Sequence, residues 1–176
     1  VEAAELANYH IMIFPHREQE DQLALYRGLA QSGRIDGFIL SDLDYDDPRV
    51  HLLLDLRSPF VGFGRINHGL RYPYVEVDGQ AGVRQATEHL LGQGHCRIAA
   101  LAWPSAWRVG EERLNGYRAA MAAAGLEVAP EWLQRGPDTF EFSYHSTLRL
   151  LDLPAERRPT AIVTMDDLMA FGAMRA

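Results

Sequence analysis

Short apolar runs alternate along this chain with segments whose apolar residues recur at helical spacing. The pattern predicts strands over residues 10–15, 35–41, 59–64, 72–78, 96–103, 131–136 and 160–166. It predicts helices over residues 18–33, 47–58, 79 to about 93, 110–125, 142–153 and from 167 onward, and residues 1–8 are typical of the end of a helix. Because the strands are apolar along their length and are separated by helices, we expect parallel sheets covered on both faces.

The clearest unit is VEVDGQAGVRQATEHLLGQGHCRIAALAW, residues 75–103, which has the order strand, Asp-Gly turn, helix, glycine stop and strand. Its helix carries an inward apolar stripe with two further residues beside it: Val83, Ala86 and Leu90, then Thr87 and Leu91. Cys96 begins the second strand, and we expect it to be buried as a small hydrophobic residue.

The composition is that of an ordinary globular chain, long enough for one domain or two small lobes. Of its 176 residues, 47% are hydrophobic and 23% are charged. No apolar run approaches the ~18 residues that a membrane-spanning helix needs. The single cysteine excludes an internal disulfide and favours a reducing compartment, so we expect a cytoplasmic protein.

The net charge of −7, from 17 basic and 24 acidic residues, argues against DNA binding by this segment. Proteins that hold DNA by neutralising its phosphates use clustered Lys and Arg, whereas the basic residues here are mostly single arginines. If the protein acts on DNA, another segment makes the contact.

Parallel sheets bind ligands in the crevice at the carboxyl ends of their strands. The residues that directly follow the predicted strands are therefore expected to line any site. They are His16 and Arg17, Ser41 and Asp42, Gly64 and Arg65, Asp78, Trp103, residues 136–138, and Asp166 and Asp167.

No motif for catalysis, metal or cofactor binding stands out. The chain lacks Gly-x-Ser-x-Gly, His-Glu-x-x-His, Cys-x-x-Cys and Gly-Lys-Ser/Thr, so we expect neither an enzyme nor a cofactor or metal site. GFGRIN lacks the third glycine of a dinucleotide fingerprint. His89 and His95 suit the negative end of a helix dipole better than a metal.

Five residues have both a structural and a functional interpretation. Asp167 can cap the following helix, which would leave Asp166 free to accept hydrogen bonds from a ligand. Arg113 is either a solvated helix residue or a ligand-binding one. Trp103 and Trp107 either cover the edge of the core or present an aromatic face to a sugar.

Taken together, these segments resemble the lac-repressor/gal-repressor family of bacterial transcription regulators. The resemblance rests on Val-x-x-Asp before the helix at 79, on EHLLGQGHCRIA, and on ERLNGYRAAMAAAG with its Arg113-x-x-Gly-Tyr core. RPTAIVTMDDLMAFGAMRA is similar to a later family segment with an Asn/Asp-Asp pair, and RIDGFILS is similar to the Asp-Gly strand of the first lobe. The likeness covers nearly the whole chain.

The resemblance implies an α/β, two-lobe, periplasmic-binding-protein-like (type I) fold, in which each lobe is a parallel sheet flanked by helices. It places a partial first lobe at residues 1–77 and a partial second lobe at 78–176, so we expect a chain truncated at both ends. Family members are homodimers that place a helix-turn-helix head on operator DNA. The implied partners are therefore operator DNA, through a head outside this chain, a second copy and a small effector, with no membrane.

The same resemblance assigns residues to the cleft between the lobes. Arg113 matches a family arginine that binds ligand hydroxyls, and Asp166 lies where the family often has a ligand-binding asparagine. Ser41 and Arg65 would face the cleft from the first lobe. The chain departs from the family pattern at Gly64, which removes an acceptor beside Arg65.

Aromatic positions complete the set of ligand-binding candidates. Asp138 lies near a family aromatic position, and Phe140 is the alternative for that role. Val109 stands where the family often has a small hydroxyl residue, and Trp107 can compensate for this departure by stacking on the ligand. Trp103 is a further candidate at the crevice mouth.

The first hypothesis is the ligand-sensing and dimerisation core of a repressor-type transcription regulator. A sugar-like effector between the lobes would change their angle and thereby the spacing of two DNA-binding heads, which is an allosteric effect. The alternative is an extracytoplasmic receptor for a sugar importer, which would carry a signal peptide or lipid-anchoring cysteine upstream. An α/β enzyme would need a nucleophile and a base at the strand ends, and the sequence offers no such pair.

Overall fold

The chain forms two parallel sheets surrounded by helices. The computed structural model describes residues 2–14, 21–43, 45–66 and 69–176. The helices are α1 (Glu2–Leu6), α2 (Gln22–Gln31), α3 (Pro48–Asp55), α4 (Gly79–Gly92), α5 (Arg108–Ala123), α6 (Phe140–Leu151) and α7 (Asp167–Arg175). The strands are β1 (Phe38–Leu40), β2 (Phe60–Phe63), β3 (Tyr74–Val75), β4 (Ile98–Ala102), β5 (Leu133–Arg135) and β6 (Ala161–Thr164).

The two sheets are built from different parts of the chain. The first sheet has the order β1-β2-β3 and the second has the order β5-β4-β6. Every pairing between these strands is parallel, as the apolar runs between helices predicted. The carboxyl ends of β4, β5 and β6 therefore meet at one edge of the second sheet.

The main hydrophobic core surrounds β4, whose five residues are all fully buried. The inner residues of α5 pack against it: Leu114, Tyr117 and Met121. A smaller core under the first sheet contains Leu40, Val50, Leu53 and Ile66. β4 is therefore covered on both faces.

The first sheet has one face that the described residues leave exposed. The register aligns Ile39 with Val61 and Phe63 with Val75, which places these side chains on a common face. Ile39 is 75% exposed, Phe63 55% and Val75 60%. The expectation of helices on both faces therefore does not hold for this sheet within the described part of the chain.

Three of the local expectations were wrong. Residues 10–14 form no strand, because no neighbouring strand pairs with them, and residue 15 lies outside the described residues. Ala86 is exposed and Thr87 is buried instead, since a helix of 3.6 residues per turn turns position 87 inward with Val83 and Leu90. Cys96 is exposed because β4 begins only at Ile98.

Aspartate side chains cap the N-termini of α2, α3 and α4. Asp78 follows the VEV strand and accepts a hydrogen bond from the amide of Ala81 at 2.8 Å, which starts α4. Asp21 and Asp47 do the same for α2 and α3. At the far end of α4, Gly94 has φ of 90°, a conformation that favours glycine and that turns the chain into β4. None of the helices in the described ranges combines the length and hydropathy that a bilayer crossing requires.

Tyr117 supports the main core with its hydroxyl, which donates to the Ile98 carbonyl oxygen at 2.7 Å. Burial raises the pKa of Tyr117 to about 12. Since the unfolded pKa is about 10, the neutral hydroxyl stabilises the fold fully below pH about 10 and loses this effect as the pH rises towards about 12.

We expect Tyr117→Phe to lower the free energy of unfolding at pH 7 by about 1 kcal/mol and to flatten its fall above pH 10. Urea unfolding at pH 7, 9 and 11 measures both effects. Tyr144→Phe is the control, because the Tyr144 hydroxyl makes no hydrogen bond to the described residues. Equal unfolding free energies for wild type and Tyr117→Phe would contradict the prediction.

Candidate functional site

The ends of β4 and β6 bring together an indole and a carboxylate. The Trp103 ring nitrogen Nε1 donates to Asp166 Oδ2 at 2.6 Å. The other carboxylate oxygen, Oδ1, accepts from the Met169 amide at 2.8 Å and so caps α7. Because both oxygens have protein donors, the Asp166 side chain is held in one orientation.

Arg113 reaches the same place from α5. Its Nη1 donates to the Met165 carbonyl oxygen, directly before Asp166. Its guanidinium carbon lies 4.7 Å from the centroid of the Trp103 ring, a cation–π contact. Trp103, Arg113 and Asp166 are called the strand-tip cluster below. All three side chains are half-buried.

Two glycines beside the strand-tip cluster leave space for its side chains. A Cβ at Gly79 would lie 2.9 Å from the Arg113 Cγ, so the arginine stem passes over a position without a side chain. A Cβ at Gly110 would likewise lie 3.0 Å from the Trp103 Cβ. Trp107 meets the Trp103 ring edge-on, with centroids 5.6 Å apart and planes at 68°.

A charged pair supports the backbone of Trp103. Arg135, at the end of β5, donates to the Trp103 carbonyl oxygen at 3.1 Å. The same Nη1 donates to Glu111 Oε1 at 2.5 Å. Sequence reasoning missed Arg135 and Glu111, because residues 24 positions apart show no pattern that reveals their contact.

A second charged group joins the first sheet to α5. It consists of Arg65, Glu76, Arg108 and Glu112, called the ion-pair network below. Arg65 Nε donates to Glu76 Oε2 at 2.5 Å, and its Nη2 lies 3.5 Å from Glu112 Oε1. Arg108 pairs with Glu112 one helical turn away and lies 3.8 Å from Glu76 Oε2.

Arg65 is charged throughout the pH range of folding. The hydrogen bond that Arg65 donates to Glu76 and the attraction of the Glu76 and Glu112 carboxylates raise the pKa of Arg65 above its ordinary value, although burial opposes this rise. Because the pairs are partly exposed, each stabilises the fold by only about 0–1 kcal/mol. Of these contacts, sequence reasoning could have found only the i,i+4 pair of Arg108 and Glu112.

A cavity of about 470 Å³ opens beside the ion-pair network. Arg65, Glu76 and Glu112 line it together with the first turn of α4. Its volume lies in the ~300–1,000 Å³ range of small-molecule sites. Gly79 borders this cavity and also meets Arg113, so the first turn of α4 lies between the two groups of charges.

Ser41, Asp138 and Phe140 make no hydrogen bond or ring contact with the strand-tip cluster within the described residues. Ser41 is exposed after β1, and its carbonyl oxygen accepts from Arg49 at 3.2 Å. Asp138 is exposed in the loop before α6. Phe140 begins α6 and stacks on Tyr144 with centroids 6.2 Å apart.

The expectation that Asp167 caps α7 was wrong. Asp166, not Asp167, caps α7; its extended backbone, with φ of −154°, lets its side chain fold back onto the first amides of the helix, whereas Asp167 is already helical and exposed. His16 and Arg17 lie outside the described residues. Within the described ranges, no group of three or more His, Cys, Asp or Glu is placed to hold a metal ion.

Comparison with known proteins gives a family for this arrangement. The sequence model described as "Periplasmic binding proteins and sugar binding domain of LacI family" matches residues 1–176. Over 170 residues the chain is 34% identical to the HTH-type transcriptional regulator AglR of Rhizobium meliloti (strain 1021), a match that covers 96% of this chain and 47% of AglR. The chain spans about half the length of the curated relatives it matches.

Solved structures agree. A LacI-family regulatory protein from Chloroflexus aggregans is 50% identical with a TM-score of 0.94, covering 100% of this chain and 63% of that one. The transcriptional regulator CelR, solved as a complex with cellobiose, is 31% identical with a TM-score of 0.84, covering 99% of this chain and 53% of CelR. The two-lobe periplasmic-binding-protein-like fold expected from the sequence is thus confirmed.

Proposed function

The chain belongs to the family of periplasmic binding proteins and LacI-type sugar-binding domains, and from this membership we propose that it is the effector-binding core of a bacterial transcription regulator. The observation that carries the proposal is the strand-tip cluster, in which an arginine and an aspartate converge at the carboxyl ends of parallel strands. The relatives are transcriptional regulators, not enzymes, which supports regulation over catalysis. Their names also support a regulator over an importer receptor.

The chemistry of the strand-tip cluster favours a neutral polyhydroxy ligand. Arg113 donates one of its five N–H groups to Met165, and the others can donate to ligand oxygens in a forked geometry. The neighbouring Asp166 carboxylate accepts hydrogen bonds from ligand hydroxyl groups and repels an anionic ligand. The cellobiose bound to CelR is a ligand of this type, which supports a sugar here.

We propose further that the ligand acts by bridging two lobes, residues 1–77 and 78–176. The first sheet lies within the former range and the second within the latter, and the ion-pair network spans the two. A ligand that binds one lobe arrangement more tightly shifts the population towards it. In a homodimer with helix-turn-helix heads, that shift would change the affinity for operator DNA.

A thermal-shift screen against neutral mono- and disaccharides tests this function. A ligand at 100 times its Kd stabilises the native state by about 2.7 kcal/mol, which corresponds to a Tm rise of about 5–10 °C for a chain of this size. Sugar acids such as gluconate are the matched control and should raise the Tm less, because Asp166 opposes their charge. A screen in which no neutral saccharide raises the Tm would count against the proposal.

A further inference from the structure

We propose that Trp103 is a positioning residue that holds Arg113 and Asp166 in register with each other, and that its ring is not the surface on which a ligand stacks. The inference deepens the proposed function, on which its ligand-binding arm rests. It departs from the sugar-stacking role that sequence considerations suggest for this tryptophan.

The Trp103 ring already makes protein contacts through its edge and through one face. Its Nε1 edge donates to Asp166 at 2.6 Å, and the Arg113 guanidinium lies over its face at 4.7 Å. Trp107 meets the ring edge-on at 5.6 Å. A sugar that stacked on the arginine side of Trp103 would have to displace Arg113, the residue expected to bind its hydroxyls.

The contacts form a closed loop of four residues. Trp103 binds Asp166, Asp166 follows Met165, Met165 accepts from Arg113, and Arg113 lies over Trp103. Asp166 and Arg113 lie on different elements, and Arg113 is 52 positions away in sequence from Met165, the residue that directly precedes Asp166. A loop of this kind restricts both ligand-binding side chains at once, and such restriction is what precise ligand geometry needs.

The indole of Trp103 provides both contacts. It has an N–H donor on its edge and a wide π-face that attracts a cation. Phenylalanine offers the face without the donor, and leucine offers neither. The backbone of Trp103 is fixed as well, because Arg135 donates to its carbonyl oxygen and Gly110 leaves space for its Cβ.

The first test needs no ligand. In ¹⁵N NMR spectra of the full chain, Trp103→Leu should move the Arg113 Nε–H resonance, because the ring that shields it is gone. Asp166→Asn should move the Trp103 indole N–H resonance, which is identified by its loss in Trp103→Phe. The indole of Trp132, which donates to the Arg157 carbonyl oxygen at 2.8 Å, is the internal reference and should not move. Unmoved Arg113 and Trp103 resonances would overturn the proposal.

The second test uses a neutral saccharide that the wild type binds. Trp103→Phe should weaken binding about tenfold, the effect of losing one hydrogen bond to a charged acceptor. Trp132→Phe is the matched control and should change the Kd less than about twofold, because the indole hydrogen bond that it removes goes to the Arg157 carbonyl oxygen and not to the strand-tip cluster. Calorimetry gives the Kd values, and thermal unfolding without ligand shows whether each variant is folded.

The possible results distinguish a failure of the positioning role of Trp103 from a failure of the proposed function. Native affinity in Trp103→Phe, with the wild type binding the same saccharide, overturns the positioning role and leaves the proposed function intact. If no saccharide binds the wild type, the proposed function fails and the NMR result alone decides on Trp103. Moved resonances together with a selective tenfold loss in Trp103→Phe support the positioning role.

Discussion

Arg113→Ala is expected to abolish effector binding, with a Kd at least about 100-fold higher than that of the wild type. Two hydrogen bonds from a charged group contribute about 1.5–3 kcal/mol each, and the variant loses both. The fold should persist, because Arg113 is half-buried, and its recorded contacts are a hydrogen bond to the Met165 carbonyl oxygen and the face of Trp103. Calorimetry with the saccharide found by thermal shift measures the loss.

Arg118→Ala is the matched control on the same helix. Its side chain is 47% exposed and lies 3.9 Å from Glu111, outside the strand-tip cluster. It should bind the saccharide as the wild type does. Gly79→Ala provides a second arm, since the added methyl would meet the Arg113 stem at 2.9 Å and displace it without removing its charge. Native affinity in Arg113→Ala would show that the ligand binds elsewhere, for instance in the cavity beside Arg65.

Gly116→Ala is expected to lower the free energy of unfolding by about 3 kcal/mol. A Cβ at Gly116 would lie well inside contact distance of the Gln80 carbonyl oxygen and 3.0 Å from the Arg84 amide nitrogen. Both atoms are backbone of α4, so no side chain can rotate away and the two helices must separate. A loss of this size lowers the Tm by about 6–12 °C in a chain of 150–250 residues.

Gly82→Ala is the control for helix propensity. Gly82 lies on α4 with open space around its Cα, so alanine should stabilise the chain by up to about 1 kcal/mol. Differential scanning calorimetry of both variants separates the clash from the general benefit of alanine in a helix. A Gly116→Ala variant as stable as Gly82→Ala would mean that α4 and α5 do not approach as closely as described.

The local pattern was enough to predict most of the elements. Alternation of apolar runs with helical segments predicted the six strands of the two sheets in the described part of the chain and the helices between them, because strands of parallel sheets are rich in apolar residues. It was wrong where burial depends on a distant partner. Residues 10–14 are as apolar as a strand but have no strand beside them, and Cys96 lies just before β4 begins.

The candidate residues were predicted less completely than the elements. Strand ends are visible in sequence, so Trp103 and Asp166 could be named, whereas Arg113 was named through a family resemblance. The contacts between these residues could not be predicted from the sequence. Arg65 was predicted as a cleft residue, and its pairing with Glu112, 47 positions away, is a property of the folded chain alone.

By itself, the sequence determined the α/β class and most of the strands and helices, because spacing and apolar periodicity act over a few residues, but it misplaced the cap of α7 and the start of β4. Only the tertiary structure decided which side chains meet. The Trp103–Asp166 hydrogen bond joins residues that are 63 positions apart in sequence, and the hydrogen bond from Arg113 to Met165 joins residues that are 52 positions apart. Such contacts depend on how two strands and a helix are placed side by side, which no local pattern encodes.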